Sequence, residues 1–497
     1  MMGTIQKDLN KNIQILKDVF KDCDDINYRF IQIGKDKRQV CFVFFDGLID
    51  KQLISEYAIQ LLLTTSESES FDMNTFKSKI LDTIAKEAIA IVEVDEKTQI
   101  DEIVDSILFG ETILLIDGVA KALELSSRGW ATRGIGEPET ETVVRGPRDG
   151  FSETLKINTT LVRRRIRDPK LKVKNLQIGR RSKTDIAVMY IEDIANDELL
   201  KEVFRRLDTI DIDAILDSSM LEQLIEDNHI SPFPQIENTE RPDTVAASLY
   251  EGRIALLVDN TPFALIIPAT LGTLIQSAED YYSRWTISSF IRILRILGGF
   301  LATLSPALYI AITSFHPGLI PTRLTYYVAS SRINVPFPAV VEAFLMEITI
   351  ELLREAGTRI SGPIGTTIGI VGGLIIGQAA VEAGVVSPLM IIIVAITTIA
   401  AFALPSYELA SGLRFCRFIF MTLASLLGLY GIMLGVVVIS THMAKLNSFG
   451  IPFTSPYSGL GIEEGDLKDT IIKAPIQKLE NRPEFTFPKN KRRFRRR

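Results

Sequence analysis

Cysteine, histidine and tryptophan are scarce: three, three and two in 497 residues. Cys23, Cys41 and Cys416 are too few and too scattered for a disulfide framework or a zinc site, so the soluble part is expected to be reduced and to face the cytoplasm. His229, His316 and His442 lie in unrelated segments, which argues against a metal or catalytic constellation, and no cofactor is expected. The chain has no Walker glycine loop, no dinucleotide fingerprint, no HExxH and no GxSxG, and is not expected to be an enzyme. The amino terminus, MMGTIQKDLNKNIQILKDVF, lacks the uninterrupted apolar core and small-residue cleavage site of a signal peptide, so no leader is expected to export the first half.

What is there is unevenly placed. Hydrophobic residues make up 46% of the chain but concentrate after about residue 285, and the length calls for several domains. The expected division is a polar, helical segment (1–37), an α/β subdomain (38–133), an Arg/Gly/Pro-rich junction (134–183), a second α/β subdomain (184–284), a helical membrane domain (285–444) and a polar, basic tail (445–497). The fold class is thus a cytoplasmic α/β domain of two similar subdomains followed by an α-helical polytopic membrane domain. The similarity is written in the residues. CFVFFD (Cys41 to Asp46) is echoed by AVMYIE (Ala187 to Glu192), and SILFGETILLIDGVAKALEL (Ser106 to Leu125) aligns without a gap on SLYEGRIALLVDNTPFALII (Ser248 to Ile267). Both long stretches place Gly before an apolar strand, then Asp and a turn, which reads as an internal duplication.

Between the copies lies EPETETVVRGPRDGFSETLKINTTLVRRRIRD, Glu137 to Asp168. Arg163, Arg164 and Arg165 point in different directions whether helical or extended, which suits a subdomain junction, salt bridges or phosphate contact. Nucleic acid is not expected, because the flanks lack stacking aromatics and the domain is not basic. The last nine residues, KNKRRFRRR, read as a solvated tail able to meet anionic lipid or acidic protein, or as a topology anchor.

Four apolar runs are long enough to cross about 30 Å of hydrocarbon: 296–315, 363–381, 385–405 and 418–440. Arg284, Arg292 and Arg295 precede the first, placing its start in the cytoplasm. The second pairs Gly365 with Gly369 and Gly373 with Gly377 as small-xxx-small contacts; with Val371 they form a candidate gate or close helix packing. Between the first and second runs, VPFPAVVEAFLMEITIELLREAG (Val335 to Gly357) carries four glutamates. At 100° per residue Glu347, Glu351 and Glu355 fall within an arc of about 80°, with Arg354 at its edge and Glu342 elsewhere. A carboxylate in hydrocarbon needs partners or water. The stripe therefore either pairs with Arg354, Arg359 or Arg332, lies at an interface, or lines an ion pathway with Gln378; a pore would require a ring of subunits.

The Glu137–Asp168 run, the Glu-bearing segment, GIVGGLIIGQAAVEAGVVSP and GLYGI (Gly428 to Ile432) closely resemble the A subunit family of spore germinant receptors, over about residues 38–460. The signature residues are Glu137, Pro138, Arg145, Gly146, Pro147, Gly150, Phe151, Glu153, Asn158 and the Arg163, Arg164, Arg165 run. The resemblance implies a protein of the inner spore membrane of an endospore-forming bacterium. It implies a permease-like B subunit that binds the nutrient, a lipoprotein C subunit, and oligomerisation into a channel releasing monovalent cations. A non-conducting scaffold or signalling subunit is the alternative, and a solute transporter a weaker third because no inverted repeat is evident.

Overall fold

Strands buried on both faces give the first half its shape. Val40 to Phe45 and Ile186 to Ile191 are buried throughout, as continuous apolar runs in central strands should be. The computed structural model describes residues 3–33, 38–55, 94–129, 136–359, 376–458, 460 and 466–494. The chain divides into two compact units. The first comprises Met1–Glu226, Ile236–Pro268 and Glu480–Arg497, and the second Asp227–Gln235 and Ala269–Leu479.

The first unit holds two five-stranded antiparallel sheets. One contains β1 (Ile26–Ile33), β2 (Arg38–Phe45), β3 (Val94–Lys97), β4 (Thr112–Ile116) and β5 (Ala122–Leu125), in the order β1-β2-β4-β5-β3. The other contains β6 (Leu171–Ile178), β7 (Thr184–Ile191), β8 (Glu237–Thr239), β9 (Ile254–Val258) and β10 (Ala264–Ile267), in the order β6-β7-β9-β10-β8. The helices repeat as well. α1 (Leu9–Val19) precedes β1 and α2 (Ile100–Leu108) precedes β4, while α3 (Leu155–Arg165) precedes β6 and α6 (Pro242–Tyr250) precedes β9. Between β7 and β8 run α4 (Asp197–Asp208) and α5 (Ser218–Ile225). Gly110 and Gly252, at φ 89° and 90°, end α2 and α6 in a left-handed conformation that favours glycine and turn the chain into β4 and β9.

Two strands differ from the sequence reading. Part of the helical N-terminal segment is β1, and β6 lies before residue 184, so the second sheet draws on the junction. Both are edge strands, and β6 alternates buried and solvent-facing residues only weakly among Lys172, Lys174, Asn175 and Gln177. The expected helix in KQLISEYAIQLLL lies mostly outside the described residues. Residues 489–494 of the basic terminus are exposed, as a solvated tail should be, whereas Phe485 and Thr486 just before them are buried in the first unit. There Thr486 donates to the Glu251 carbonyl at 2.7 Å and Lys489 reaches Asp197 at 2.6 Å.

The second unit is helical: α7 (Trp285–Ser314), α8 (Thr322–Ser331), α9 (Ala339–Arg359), α10 (Pro388–Phe402), α11 (Tyr407–Leu427) and α12 (Leu429–Lys445). Its core joins Ala307 and Ile310 of α7, Ala343 and Met346 of α9, Met390 and Val394 of α10, and Phe420 and Met421 of α11. Among the described residues, α7 and α11 are long and apolar enough to cross a membrane, and α10 and α12 are shorter apolar helices. The run 363–381 lies mostly outside the described residues. The run 418–440 is not one helix: Gly428, at φ 61°, breaks it into α11 and α12. Gly431 and Gly435 of α12 lie against Leu423 and Phe420 of α11, so the two helices fold back as a hairpin. Hydropathy is uniform across this turn, and only the glycine marks it.

Candidate functional site

Two constellations gather the residues singled out by sequence, one in each unit. In the first, the two halves share a side-chain device. Asn158 is buried; its amide oxygen accepts Ser152 N at 2.8 Å and its nitrogen donates to Ser152 O at 2.6 Å. Asn12 does the same with Gln6, at 2.9 and 2.6 Å. Asp259 accepts the amide of Leu155, the first residue of α3, at 2.9 Å, and Asp117 that of Leu9, the first of α1, at 3.3 Å. Each aspartate supplies an acceptor to a helix terminus that would otherwise leave its amides unpaired. Asn12 carried no recognised signature in the sequence, and its equivalence to Asn158 emerges from the shared bonds.

The arginine run separates by direction. Arg163 is 1% exposed. Its Nε and Nη2 donate to Asp25 at 2.5 and 2.9 Å, Nη2 also reaches Leu171 O at 3.3 Å, and the guanidinium stacks 4.1 Å from the Phe45 ring centre. Asp25 and Phe45 belong to the first half and Leu171 to the second, so Arg163 bridges the halves. Beside it the backbone of Asp22 to Asp24 pairs with Val173 of β6: Asp24 N donates to Val173 O at 2.9 Å and Val173 N to Asp22 O at 3.2 Å. Burial pushes the Cys23 thiol up, against reactivity. Arg165 instead holds Asp149 through Nη2 at 2.6 and 2.7 Å, and Arg164 is half-buried.

The other signature residues line the segment leading to α3. Glu137, Arg145, Gly146 and Glu153 are exposed, and Glu137 meets Arg148 at 3.5 Å. Pro147 O accepts Arg241 at 2.8 Å, Phe151 is buried with its amide on Glu240 O at 2.8 Å, and Gly150 packs so closely on Pro138 that a side chain would crowd it. Nearby, loss of hydration and the carboxylates of Glu237 and Glu240 push Glu141 up to about 7, although Thr239 donates to it.

In the helical unit, α9 carries its glutamates from a buried to an exposed edge. Glu347 is fully buried, Glu351 is half-buried and Glu355 is exposed. Their partners come from α11 and from α9 itself: Arg417, also fully buried, lies 3.1 Å from Glu347 and 2.8 Å from Glu351. Arg354 and Arg414 approach Glu351 at 3.3 and 3.8 Å. Arg332, expected beside the stripe, pairs instead with Glu342 on another face of α9, at 3.0 Å. Glu342 also accepts the amide of Ser387, the N-cap of α10, at 3.0 Å. Nothing is described for the Arg359 side chain. Gln378 bonds to Glu382 at 2.9 Å on the surface. Gly365, Gly369, Val371 and Gly373 lie outside the described residues, and Gly377 contacts Ile391.

Arg417 and Arg414 lie just before the fourth apolar run, 418–440, and are not among the partners the sequence suggested for the stripe. The signal that could have marked them is their spacing of three, which sets both on one helix face. Arg292 and Arg295, read as a flank of the first span, are buried at the base of α7. Both bind Asp280, at 2.9 and 2.7 Å, and Arg292 also binds Asp469 at 2.8 Å.

Comparison with known proteins gives one answer. A family model described as Bacillus/Clostridium GerA spore germination protein matches residues 14–485. The chain is 41% identical to spore germination protein GerLA of Bacillus cereus, over 96% of this chain and 95% of that one. It is 42% identical to spore germination protein B1 of Bacillus subtilis (strain 168), over 98% and 99%. Among solved structures, the N-terminal domain of the A subunit of the Bacillus megaterium spore germinant receptor GerK3 matches 55% of this chain and 98% of its own. That match has 33% identity and a TM-score of 0.43.

Proposed function

This chain belongs to the Bacillus/Clostridium GerA spore germination protein family, and from that premise we propose that it is the A-type subunit of a nutrient-sensing germinant receptor. It sits in the inner spore membrane with its first unit in the cytoplasm, beside a permease-like B subunit that takes the nutrient and a lipoprotein C subunit. Copies of it assemble into a nutrient-gated pathway for monovalent cations. The observation that carries the reading is the family match, which runs from residue 14 to residue 485. Glu347, Glu351 and Glu355, with Gln378, are the proposed pathway residues, and the glycine-rich segment 363–381 with Val371 the proposed gate. A charged stripe running out of an apolar helix has a physical use where it meets water and cations.

One observation favours a second reading, a non-conducting scaffold or signalling subunit: Glu347 and Glu351 already have arginine partners within the chain. Nutrient-triggered potassium release from spores carrying Glu347→Gln or Glu351→Gln separates the two, with receptor level followed by immunoblot. Slowed release at normal level supports the conducting role. Unchanged release at normal level sinks it, and loss of the receptor assigns the stripe to assembly.

A further inference from the structure

Within the first unit, four carboxylates gather where the signature segment lies against β8 and the turn into α6: Glu141 from the segment, and Glu237, Glu240 and Asp243 opposite it. Three of them are provided for. Arg253 reaches Glu237 at 2.6 Å and Arg241 reaches Asp243 at 2.9 Å. The Glu240 carboxylate accepts the amides of Glu139 and Thr140 at 2.6 and 3.2 Å and the Thr140 hydroxyl at 3.0 Å. Glu141 differs. Among the described residues its carboxylate takes one donor, the Thr239 hydroxyl at 2.5 Å, which the Arg241 amide holds in place at 3.1 Å. Arg241, 2% exposed, spends its guanidinium instead on the Glu141 and Pro147 carbonyls, at 3.1 and 2.8 Å, and on Asp243. An ionised Glu141 therefore stands against loss of hydration and the charges of Glu237 and Glu240, whereas a protonated one keeps an acceptor for Thr239 and meets neither cost.

The groups around Glu141 are also those that fasten the segment. Glu240 holds it at Glu139 and Thr140, Thr239 and Arg241 hold it at Glu141, Arg241 holds it again at Pro147, and the Glu240 carbonyl takes the Phe151 amide at 2.8 Å. Between the fastenings at Glu141 and Pro147 the chain turns out into solvent, where Val144 is 87% exposed and Arg145 and Gly146 are exposed beside it.

We infer that Glu141 is a proton-operated latch: protonated, it holds residues 139–151 on β8 and α6, and on losing its proton it loosens them and with them the exposed tip 142–146. The upward displacement of this carboxyl to about 7 agrees with that reading. The closed segment binds the proton more tightly than the open one, so the latch is tight at pH 6 and loosened at pH 8. The inference goes beyond the germination reading and stands or falls without it.

Hydrogen exchange of the detergent-solubilised full chain tests it, expressed as protection factors so that the intrinsic pH dependence of exchange drops out. The amides of Thr140 and Phe151 read the latch directly. Their protection in the wild-type chain should fall about tenfold between pH 6 and pH 8, the change for a carboxyl titrating at about 7 in the closed segment and 4.5 in the open one. It should also lie below that of β2 at every pH, as an opening smaller than unfolding requires. Glu141→Gln keeps an acceptor for Thr239 without the charge and should hold protection within twofold over the same range. Glu141→Ala, which lacks the charge as well, decides if the glutamine variant does not accumulate. A flat wild-type profile overturns the proposal. So does a fall as large in the charge-free variant, or protection at Thr140 and Phe151 equal to that of β2.

Discussion

Replacing Arg163 by alanine should loosen the two halves of the first unit more than any nearby change. The guanidinium is 1% exposed, and its partner Asp25 keeps 12% of its side-chain surface, so removal strands a carboxylate with almost no water. Breaking a buried pair from one side costs about 3–5 kcal/mol. The lost stacking on Phe45, 4.1 Å from the ring centre, adds up to about 2 kcal/mol. The effects share one group and do not simply add, so about 4 kcal/mol is the working value, a large part of the roughly 5–15 kcal/mol that holds a domain together. Native-state hydrogen exchange of the detergent-solubilised chain reads this directly at residues 22–24 and along β6. Exchange there should accelerate by roughly three powers of ten, since each 1.4 kcal/mol is tenfold. Asp25→Asn in the Arg163→Ala background should recover more than half of the loss, because the stranded charge goes with it. If β6 keeps its protection to within tenfold in Arg163→Ala, the halves are held by something else and the reasoning is refuted.

Other outcomes follow from the same kinds of contact. Arg417→Ala leaves Glu347, 0% exposed, without its partner; a cost of about 3–5 kcal/mol should strip the protein from membranes on immunoblots, and Glu347→Ala should restore much of it. Glu141, held near 7 against an ordinary 4.5, binds its proton more tightly in the folded than in the unfolded chain. Its contribution to stability is therefore complete below about pH 4.5 and lost as pH rises to 7, by at most about 3 kcal/mol. Glu141→Gln should flatten that part of the exchange-versus-pH curve of the first unit, and an unchanged slope would count against it. Gly428→Ala forces an alanine to φ 61° with its Cβ 2.8 Å from His316 Cε1, whereas Gly450→Ala meets nothing within 4 Å. The first should lower the thermal midpoint of the solubilised chain well beyond the second, which bears only the backbone cost of about 1 kcal/mol.

Much of the fold could be read from runs of side chains. The central strands and the repeat of Ser106–Leu125 in Ser248–Ile267 are visible because strands buried on both faces must be apolar throughout. α3 and β6 were hidden because their stability is tertiary. Asn158, Thr159 and Thr160 are poor helix formers fixed in α3 by side-chain bonds such as Asn158 to Ser152, and β6 is an edge. The glutamate stripe showed where charge enters the helices, since periodicity alone gives the arc. Its partners could not be found that way, because Arg417 lies 66 residues beyond Glu351 within another apolar run, and pairing across that separation is set by packing.

The first unit is discontinuous in sequence, and its last contribution, around Phe485 and Thr486, is made after every helix of the second unit. During synthesis the two sheets emerge early, yet the Glu251 carbonyl waits for Thr486 until the ribosome has passed the apolar segments of the second unit. A chain stopped before residue 485 leaves the Glu251 carbonyl without the Thr486 hydroxyl, so this part of the first unit is finished only after the helices of the second have been made.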